Sequence, residues 1–289
     1  MTIYNLGSIN IDHVYAMERL PKPGETLAAT DLTTGLGGKG ANQSIAIARA
    51  GGQVVHIGAI GPEGGWTRDA LRAAGVRTEH VVEVATPTGH AMITVDRAAE
   101  NAIVLFPGAN REIAEDQIAQ ALASAAPGDW LLLQNETNGG AFAARLARDA
   151  GLRVAYCAAP FDRQAVAGML PLTDLLSVNE GEASALEAAL PAEALADVAR
   201  LVTYGAKGAA HIEGDRLQGV PAFPVTPIDT TGAGDTFLGY FLAAIDTGKH
   251  VPEALRLASA AAALQVTRKG AADAIPTRAE VDDFLAQRA

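Results

Sequence analysis

Cysteine is almost missing from these 289 residues. The single one, Cys157, leaves no disulfide within the chain and no cysteine-based metal cluster. Its flanks, Val154-Ala155-Tyr156, read as a buried strand, where a thiol behaves as a small inert hydrophobe. Positive charge is also short. Lys and Arg number 22 against 33 Asp and Glu, and the formal net charge is -11. That balance argues against nucleic acid and against an anionic membrane as partners, while leaving a local phosphate site open. Long apolar runs are absent: none reaches the roughly 18 residues that a membrane-spanning helix needs. The first residues, Thr2-Ile3-Tyr4-Asn5-Leu6-Gly7, form a strand pattern and not a basic leader followed by an apolar core. A cytoplasmic location is the expectation.

What the chain has in quantity is alternation. Short apolar strand candidates at 2–7, 54–60, 130–134, 153–157, 174–178, 199–203 and 209–213 are separated by alanine-rich helical stretches. Helices are expected near 40–50, 65–74, 114–125, 139–150, 180–190, 233–247, 252–266 and 278–287. Such alternation predicts a mainly parallel sheet with helices on both faces. Two stretches break it. Residues 11–36 hold two short β-like pieces, Asp12–Met17 and Glu25–Thr33. Residues 88–106 read as a hairpin about the polar turn Asp96–Asn101. Together they predict a small separate β-sheet.

The most informative string is Ile228-Asp229-Thr230-Thr231-Gly232-Ala233-Gly234-Asp235-Thr236-Phe237. Phe237, Tyr240, Phe241 and Ala244 follow at helical spacing, so Gly232, Ala233 and Gly234 fall at a helix N-terminus. Unpaired N–H groups and the positive end of the dipole there favour phosphate oxygens or a developing negative charge. Asp235 adds a carboxylate beside that anion site. It is a poor phosphate binder and a sensible general base for a hydroxyl attacking phosphorus. The plainer alternative is a Gly-rich turn with an acid in the first helical turn.

Other segments are weaker alone. Gly35-Leu36-Gly37-Gly38-Lys39-Gly40-Ala41-Asn42 formally matches a dinucleotide fingerprint, but the first strand lies far upstream and no acid follows near 55–60. Gly40 after Lys39 excludes a Walker A loop. A Gly-rich turn bringing Lys39 and Asn42 to a polyhydroxylated ligand fits better. Asn10 and Asp12 share one face of a strand end and could grip neighbouring hydroxyls, or could form an Asx turn. Asn179 and Glu182 have capping-box spacing, and equally could support hydrated Mg²⁺ near phosphates. Thr203-Tyr204-Gly205-Ala206-Lys207-Gly208 suits a plain hairpin or a backbone seat for a nucleotide.

Taken in order, these segments resemble the ribokinase (PfkB) family of carbohydrate kinases. Gly37-Gly38-Lys39-Gly40-Ala41-Asn42-Gln43 is similar to the first family signature and Asp229–Phe237 to the second, with Asn179-x-x-Glu182 and Thr203-x-Gly205-x-x-Gly208 between them. The resemblance runs from Gly7 to the C-terminus. It implies a three-layer α/β/α domain with a mainly parallel central sheet (1–10, 37–87 and 107–289) and a small β-sheet lid over the sugar (11–36 and 88–106). Gly7–Asp12, Pro23–Thr26, Gly108-Ala109-Asn110 and Val266–Ala271 look like the ribose-phosphorylating member.

The resemblance also implies roles. Asn10, Asp12, Gly38, Lys39, Asn42 and Glu136 would contact sugar. Asp235 would be the base, and Gly232, Ala233 and Gly234 the anion hole. Asn179, Thr203, Gly205, Gly208 and Gly234 would line the ATP side, with Asn179 and Glu182 supporting Mg²⁺ through water. A monovalent cation, K⁺, would sit between Asp229 and Thr231 on one loop and the carbonyls of Gln265, Arg268 and Gly270 on another. The expected protein is an ATP-dependent kinase of a sugar primary hydroxyl, D-ribose to ribose 5-phosphate, pairing through its lids as a homodimer. The alternatives are another furanose, a nucleoside, or a sugar sensor without catalysis. Only 5% of residues are aromatic, which disfavours a wall for a nucleobase. The chain departs from the pattern at Gly61-Pro62-Glu63, at Cys157-Ala158-Ala159-Pro160, and at Ala274, where a hydroxyl is expected near the cation.

Overall fold

The computed structural model describes residues 1–98, 100–191 and 193–288; the Ala99 position in the expected hairpin turn lies outside them. In chain order the strands are β1 (Thr2–Leu6), β2 (Asn10–Ala16), β3 (Asp31–Gly37), β4 (Gln53–Ile60), β5 (Arg77–Glu83), β6 (Gly89–Val95) and β7 (Asn101–Phe106). Then come β8 (Trp130–Leu133), β9 (Arg153–Cys157), β10 (Leu175–Asn179), β11 (Ala199–Thr203), β12 (Ala209–Glu213) and β13 (Arg216–Val220). The helices are α1 (Lys39–Arg49), α2 (Gly65–Ala73), α3 (Glu115–Leu122), α4 (Gly140–Asp149), α5 (Arg163–Met169), α6 (Glu180–Ala189), α7 (Glu193–Ala196), α8 (Ala233–Asp246), α9 (Val251–Gln265) and α10 (Arg278–Ala286).

Nine strands form one sheet in the order β13-β12-β11-β10-β9-β8-β1-β4-β5. Its pairings are parallel from β11 to β5, and antiparallel where β12 meets β11 and β13. The reason is visible in single strands. In β1, Ile3 packs into a core with Ile45, Phe237, Phe241 and Leu255, while Tyr4 and Leu6 pack oppositely with Ile118, Leu131 and Ala143. Side chains alternate across a strand, so a strand apolar on both faces demands cover on both. The layers are therefore α1, α8 and α9 on one side and α3, α4, α5 and α6 on the other.

A second sheet, β3-β2-β6-β7, stands apart. β2 pairs antiparallel with β3 and parallel with β6, and β6 pairs antiparallel with β7. Its second strand differs from expectation. It runs Asp31–Gly37 and not Glu25–Thr33, so Gly35, Leu36 and Gly37 are strand and the turn begins only at Gly38. Pairing along all of β2 fixes that register, from Asn10 opposite Gly37 to Ala16 opposite Asp31. β5, β13 and α5 are further elements that periodicity did not predict. Among the described residues no helix is long and apolar enough to cross a membrane.

Candidate active site

β1 and β8 are neighbours, yet the chain continues from them in opposite directions, to β4 and β5 on one side and to β9, β10 and β11 on the other. In open α/β sheets the crevice at such a reversal, beyond the carboxyl ends of the strands, is where ligands bind. Residues just past β1 and β8 meet there. The Ser8 hydroxyl donates to the Glu136 carboxylate, and the Lys39 N–H donates to the same carboxylate at 3.0 Å. The Gly40 N–H donates to Ser8 Oγ at 3.2 Å.

α8 delivers Asp235 to this crevice. Gly232 caps the helix at φ 74°, in the left-handed region where a side chain is strained. The N–H groups of Gly234 and Asp235 find no acceptor among the described residues, which leaves the first turn able to receive an anion. One turn further on, α8 lies so close to α1 that a Cβ on Gly239 would come within 2.5 Å of the Ala46 methyl. That approach sets the previous turns together. Asn42 Nδ2 donates to Asp235 Oδ2 at 3.1 Å, and Gln43 Nε2 donates to Asp235 Oδ1 at 2.8 Å. Gln43 is held in turn: its Oε1 accepts from Gln134 Nε2 at 2.7 Å, which also donates to Asn5 Oδ1 at 2.9 Å.

Burial raises the Asp235 pKa above the usual carboxylate range, and the Lys39 ammonium and the two amide donors oppose that rise. Asp235 in turn raises the pKa of Lys39. The result is a carboxylate that is fixed, desolvated and more basic than a surface Asp. Gln43, Gln134 and Ser8 were not among the candidates from sequence. Gln43 stands inside the first signature, but one residue cannot reveal that its amide turns toward an acid 192 positions away.

The remaining sugar candidates converge. Asn10 Oδ1 accepts from Asn110 Nδ2 at 2.8 Å, so the Gly108-Ala109-Asn110 segment braces the end of β2. Asp12 lies against Gly37, and its pKa is pushed up to about 6, first by burial and then by the Glu136 carboxylate. Asn42 Oδ1 and Gln134 Oε1 are buried and have no partner among the described residues. A buried acceptor without a donor is rare and points to a missing hydroxyl or water.

Asn179 and Thr203 are register partners at the ends of β10 and β11. Asn179 and Glu182 form a full capping box: Asn179 Oδ1 accepts from the Glu182 N–H, and Glu182 Oε2 from the Asn179 N–H, both at 2.9 Å. The capping alternative is thus observed. It leaves Glu182 Oε1 uncommitted, and Glu182 is near enough to contribute to the raised pKa of Lys39. Gly205 opens and Gly208 follows a short 3-10 turn between the antiparallel β11 and β12, with Lys207 paired to Glu180. Cys157 carries a thiol pushed up to about 12, first by burial and then by Asp235, so it stays protonated.

The residues expected to hold a monovalent cation do not fit one. Asp229 Oδ1 accepts the Thr231 N–H at 2.9 Å and Oδ2 the Gly270 N–H at 3.0 Å. Burial raises the pKa of this carboxyl, but those donors outweigh it and hold it low. The side-chain amide of the fully buried Gln265 points at two residues of that set, reaching Thr231 O at 3.1 Å and Gly270 O at 3.5 Å, and also reaches the neighbouring Ala271 O at 2.9 Å. The Gln265 carbonyl itself accepts from the Arg268 N–H at 3.0 Å. Ala274 is buried and offers no side-chain oxygen.

Set against known proteins, this architecture has close relatives. The pattern of the pfkB family carbohydrate kinase matches residues 2–278. The chain belongs to that family, whose members transfer a phosphoryl group to a hydroxyl acceptor. A ribokinase of Haemophilus influenzae is 39% identical over 302 residues, covering 98% of each chain. The ribokinase of Cryptococcus neoformans var. grubii serotype A, solved with ADP, matches with a TM-score of 0.85 at 33% identity and covers 98% of this chain and 99% of that one. The Arabidopsis thaliana ribokinase, solved with ribose and ATP, gives 0.85 at 33%, with 98% of each chain covered.

Proposed function

We propose that this carbohydrate kinase moves the γ-phosphoryl group of ATP to the primary hydroxyl of D-ribose, giving ribose 5-phosphate. The observation that carries the reading is Asp235, a buried carboxylate pinned by two amides beside helix N–H groups that lack acceptors among the described residues. Relatives that share a third or more of their residues with this chain, among them one solved with ribose and ATP, support the choice of sugar.

Asn10, Asp12, Lys39, Asn42 and Glu136, with the Gly38 backbone, hold the sugar hydroxyls. The orphan Asn42 Oδ1 accepts one of them. Asp235 takes the proton from the primary hydroxyl as its oxygen attacks phosphorus. The Gly232-Ala233-Gly234 turn receives the charge on the transferred group. Asn179, Thr203, Gly205 and Gly208 lie along the ATP side. Mg²⁺ bound with ATP would offset phosphate charge. Glu182 Oε1 is the oxygen free to accept one of its waters, in keeping with the few-carboxylate habit of that ion. The small sheet acts as the lid. Its outer strand exposes Ile103, Val104, Leu105 and Phe106, an apolar run suited to the same strand of a second copy.

The test is a panel of pentoses, hexoses and nucleosides assayed for ADP release with Mg²⁺ and ATP, with product identified by mass and NMR. Ribose should give the highest kcat/KM and carry phosphate on its primary carbon. A nucleoside turned over faster than ribose overturns the substrate. Ribose binding without ADP release from any compound supports the sensor alternative.

A further inference from the structure

Two loops meet beneath the anion hole, 228–232 leading into α8 and 265–271 leaving α9. Loops of this kind gain a fixed geometry only if something joins them. In this chain protein atoms make several such joints. The N–H groups of Ile228 and Asp229 donate to Val266 O at 2.7 and 3.2 Å. The Gly270 N–H donates to Asp229 Oδ2. The Gln265 amide spans the middle, accepting from the Thr236 hydroxyl at 3.3 Å through Oε1 and donating to Thr231 O and Ala271 O through Nε2.

A third element joins from the far side. Arg49, the last residue of α1, donates to the carbonyls of Ala272, at 3.2 Å, and of Ile275. A permanent protein cation thus already gathers carbonyls of the segment that continues the second loop, and α1 is the same helix whose first turns carry Lys39, Asn42 and Gln43.

We infer that Gln265 is a positioning residue for phosphoryl transfer: its side-chain amide performs in this chain the loop-joining work of a monovalent cation, and turnover does not depend on K⁺. The physical argument has three parts. Thr231 O immediately precedes Gly232, so whatever holds that carbonyl sets the direction of the first N–H groups of α8. Gln265 Nε2 carries two positively polarised hydrogens and offers no acceptor. It satisfies carbonyls from both loops and leaves a cation to share them with those hydrogens. The side chain is fully buried with both ends bonded, so its position is determined by packing and not by solution composition.

The inference rests on the kinase reading above, and the experiment separates the two. Wild-type enzyme is assayed with ATP, Mg²⁺ and ribose in KCl, NaCl and tetramethylammonium chloride at one ionic strength, which removes screening as a variable. Rates within about twofold of one another across all three salts are expected, with equal thermal midpoints. A rate in K⁺ several-fold above the organic cation overturns the inference. Phosphorylation of no sugar in any salt overturns the kinase reading instead. In Gln265→Ala the amide is gone and space opens between the loops. Its kcat in tetramethylammonium should fall about 10- to 10²-fold through misplacement of the anion hole, with the ATP and sugar KM little changed. K⁺ should restore part of it. An unchanged kcat in Gln265→Ala refutes the positioning role. If that variant does not fold, Gln265→Met keeps the volume without the amide and is read the same way, and the wild-type salt comparison still decides.

Discussion

Replacing Asp235 by Asn tests the chemistry with the least change of shape. The carboxylate is buried and accepts from Gln43 at 2.8 Å and Asn42 at 3.1 Å. An Asn has one acceptor oxygen where Asp has two, so one of those donors would face an amide NH₂. Leaving a buried donor unpaired costs about 1–3 kcal/mol. Against that, the variant no longer buries a charge, which in the wild type raises the pKa of the acid. The two effects oppose, and for a chain of this length a residual of 1 kcal/mol moves the thermal midpoint by only about 2–4 °C. Catalysis has no such compensation. Loss of a general base lowers kcat by about 10²–10⁴-fold, or about 3–5 kcal/mol of transition-state stabilisation. ATP affinity should change little, since in the proposed mechanism Asp235 meets the acceptor hydroxyl and not the nucleotide. Steady-state ADP release, single-turnover phosphorylation and calorimetric ATP binding measure these separately. A kcat within about tenfold of wild type, in a variant with a normal midpoint, would remove Asp235 from the role of base.

Other expectations follow from the same geometry. Gln43→Leu removes a donor from the Asp235 carboxylate, which raises its pKa further; the acid limb of the kcat profile should move to higher pH, and an unmoved limb would refute the positioning role of Gln43. Asp12→Ala should raise the sugar KM about 10- to 10²-fold, a loss of about 1.5–3 kcal/mol, while ATP binding is spared; an unchanged KM would return Asp12 to a turn role. The Asp12 pKa rises from 3.8 to about 6 on folding, so its contribution to stability is full below the unfolded value and lost as pH rises through the folded one. Asp12→Asn should therefore gain stability relative to wild type between about pH 4 and about pH 7, and parallel midpoint curves would contradict the shift. Val104→Asp places a charge in the exposed apolar strand of the small sheet and should shift a dimer to monomer by sedimentation; a wild type that is already monomeric at micromolar concentration would refute lid pairing.

Much of this was legible because it is local. Alternating apolar strands and alanine-rich helices imply a covered parallel sheet whatever the details, since a strand apolar on both faces has no other stable home. Gly232-Ala233-Gly234-Asp235 before a helical run specifies a helix N-terminus with an acid in its first turn, which α8 has. The capping box of Asn179 and Glu182 is set within four residues and appears as its spacing foretold. β5 and β13 escaped notice because they are edge strands, partly exposed and carrying charges that blur the period. α5 escaped because seven residues hold too little pattern.

What the chain alone could not decide is where side chains turn once distant segments meet. The identity of Gln43 says nothing of Asp235 until Gly239 lets α8 close on Ala46 of α1, which brings two amides to one acid. From sequence, Gln265 has a role only through its backbone carbonyl, as one oxygen that the family resemblance implies for a cation shell. Folding turns its side chain inward, and the amide lands among the very carbonyls that shell would use. Residue type and spacing determine which backbone ends can bind charge. Only the packing of helices brought from opposite ends of the chain decides which donors reach them.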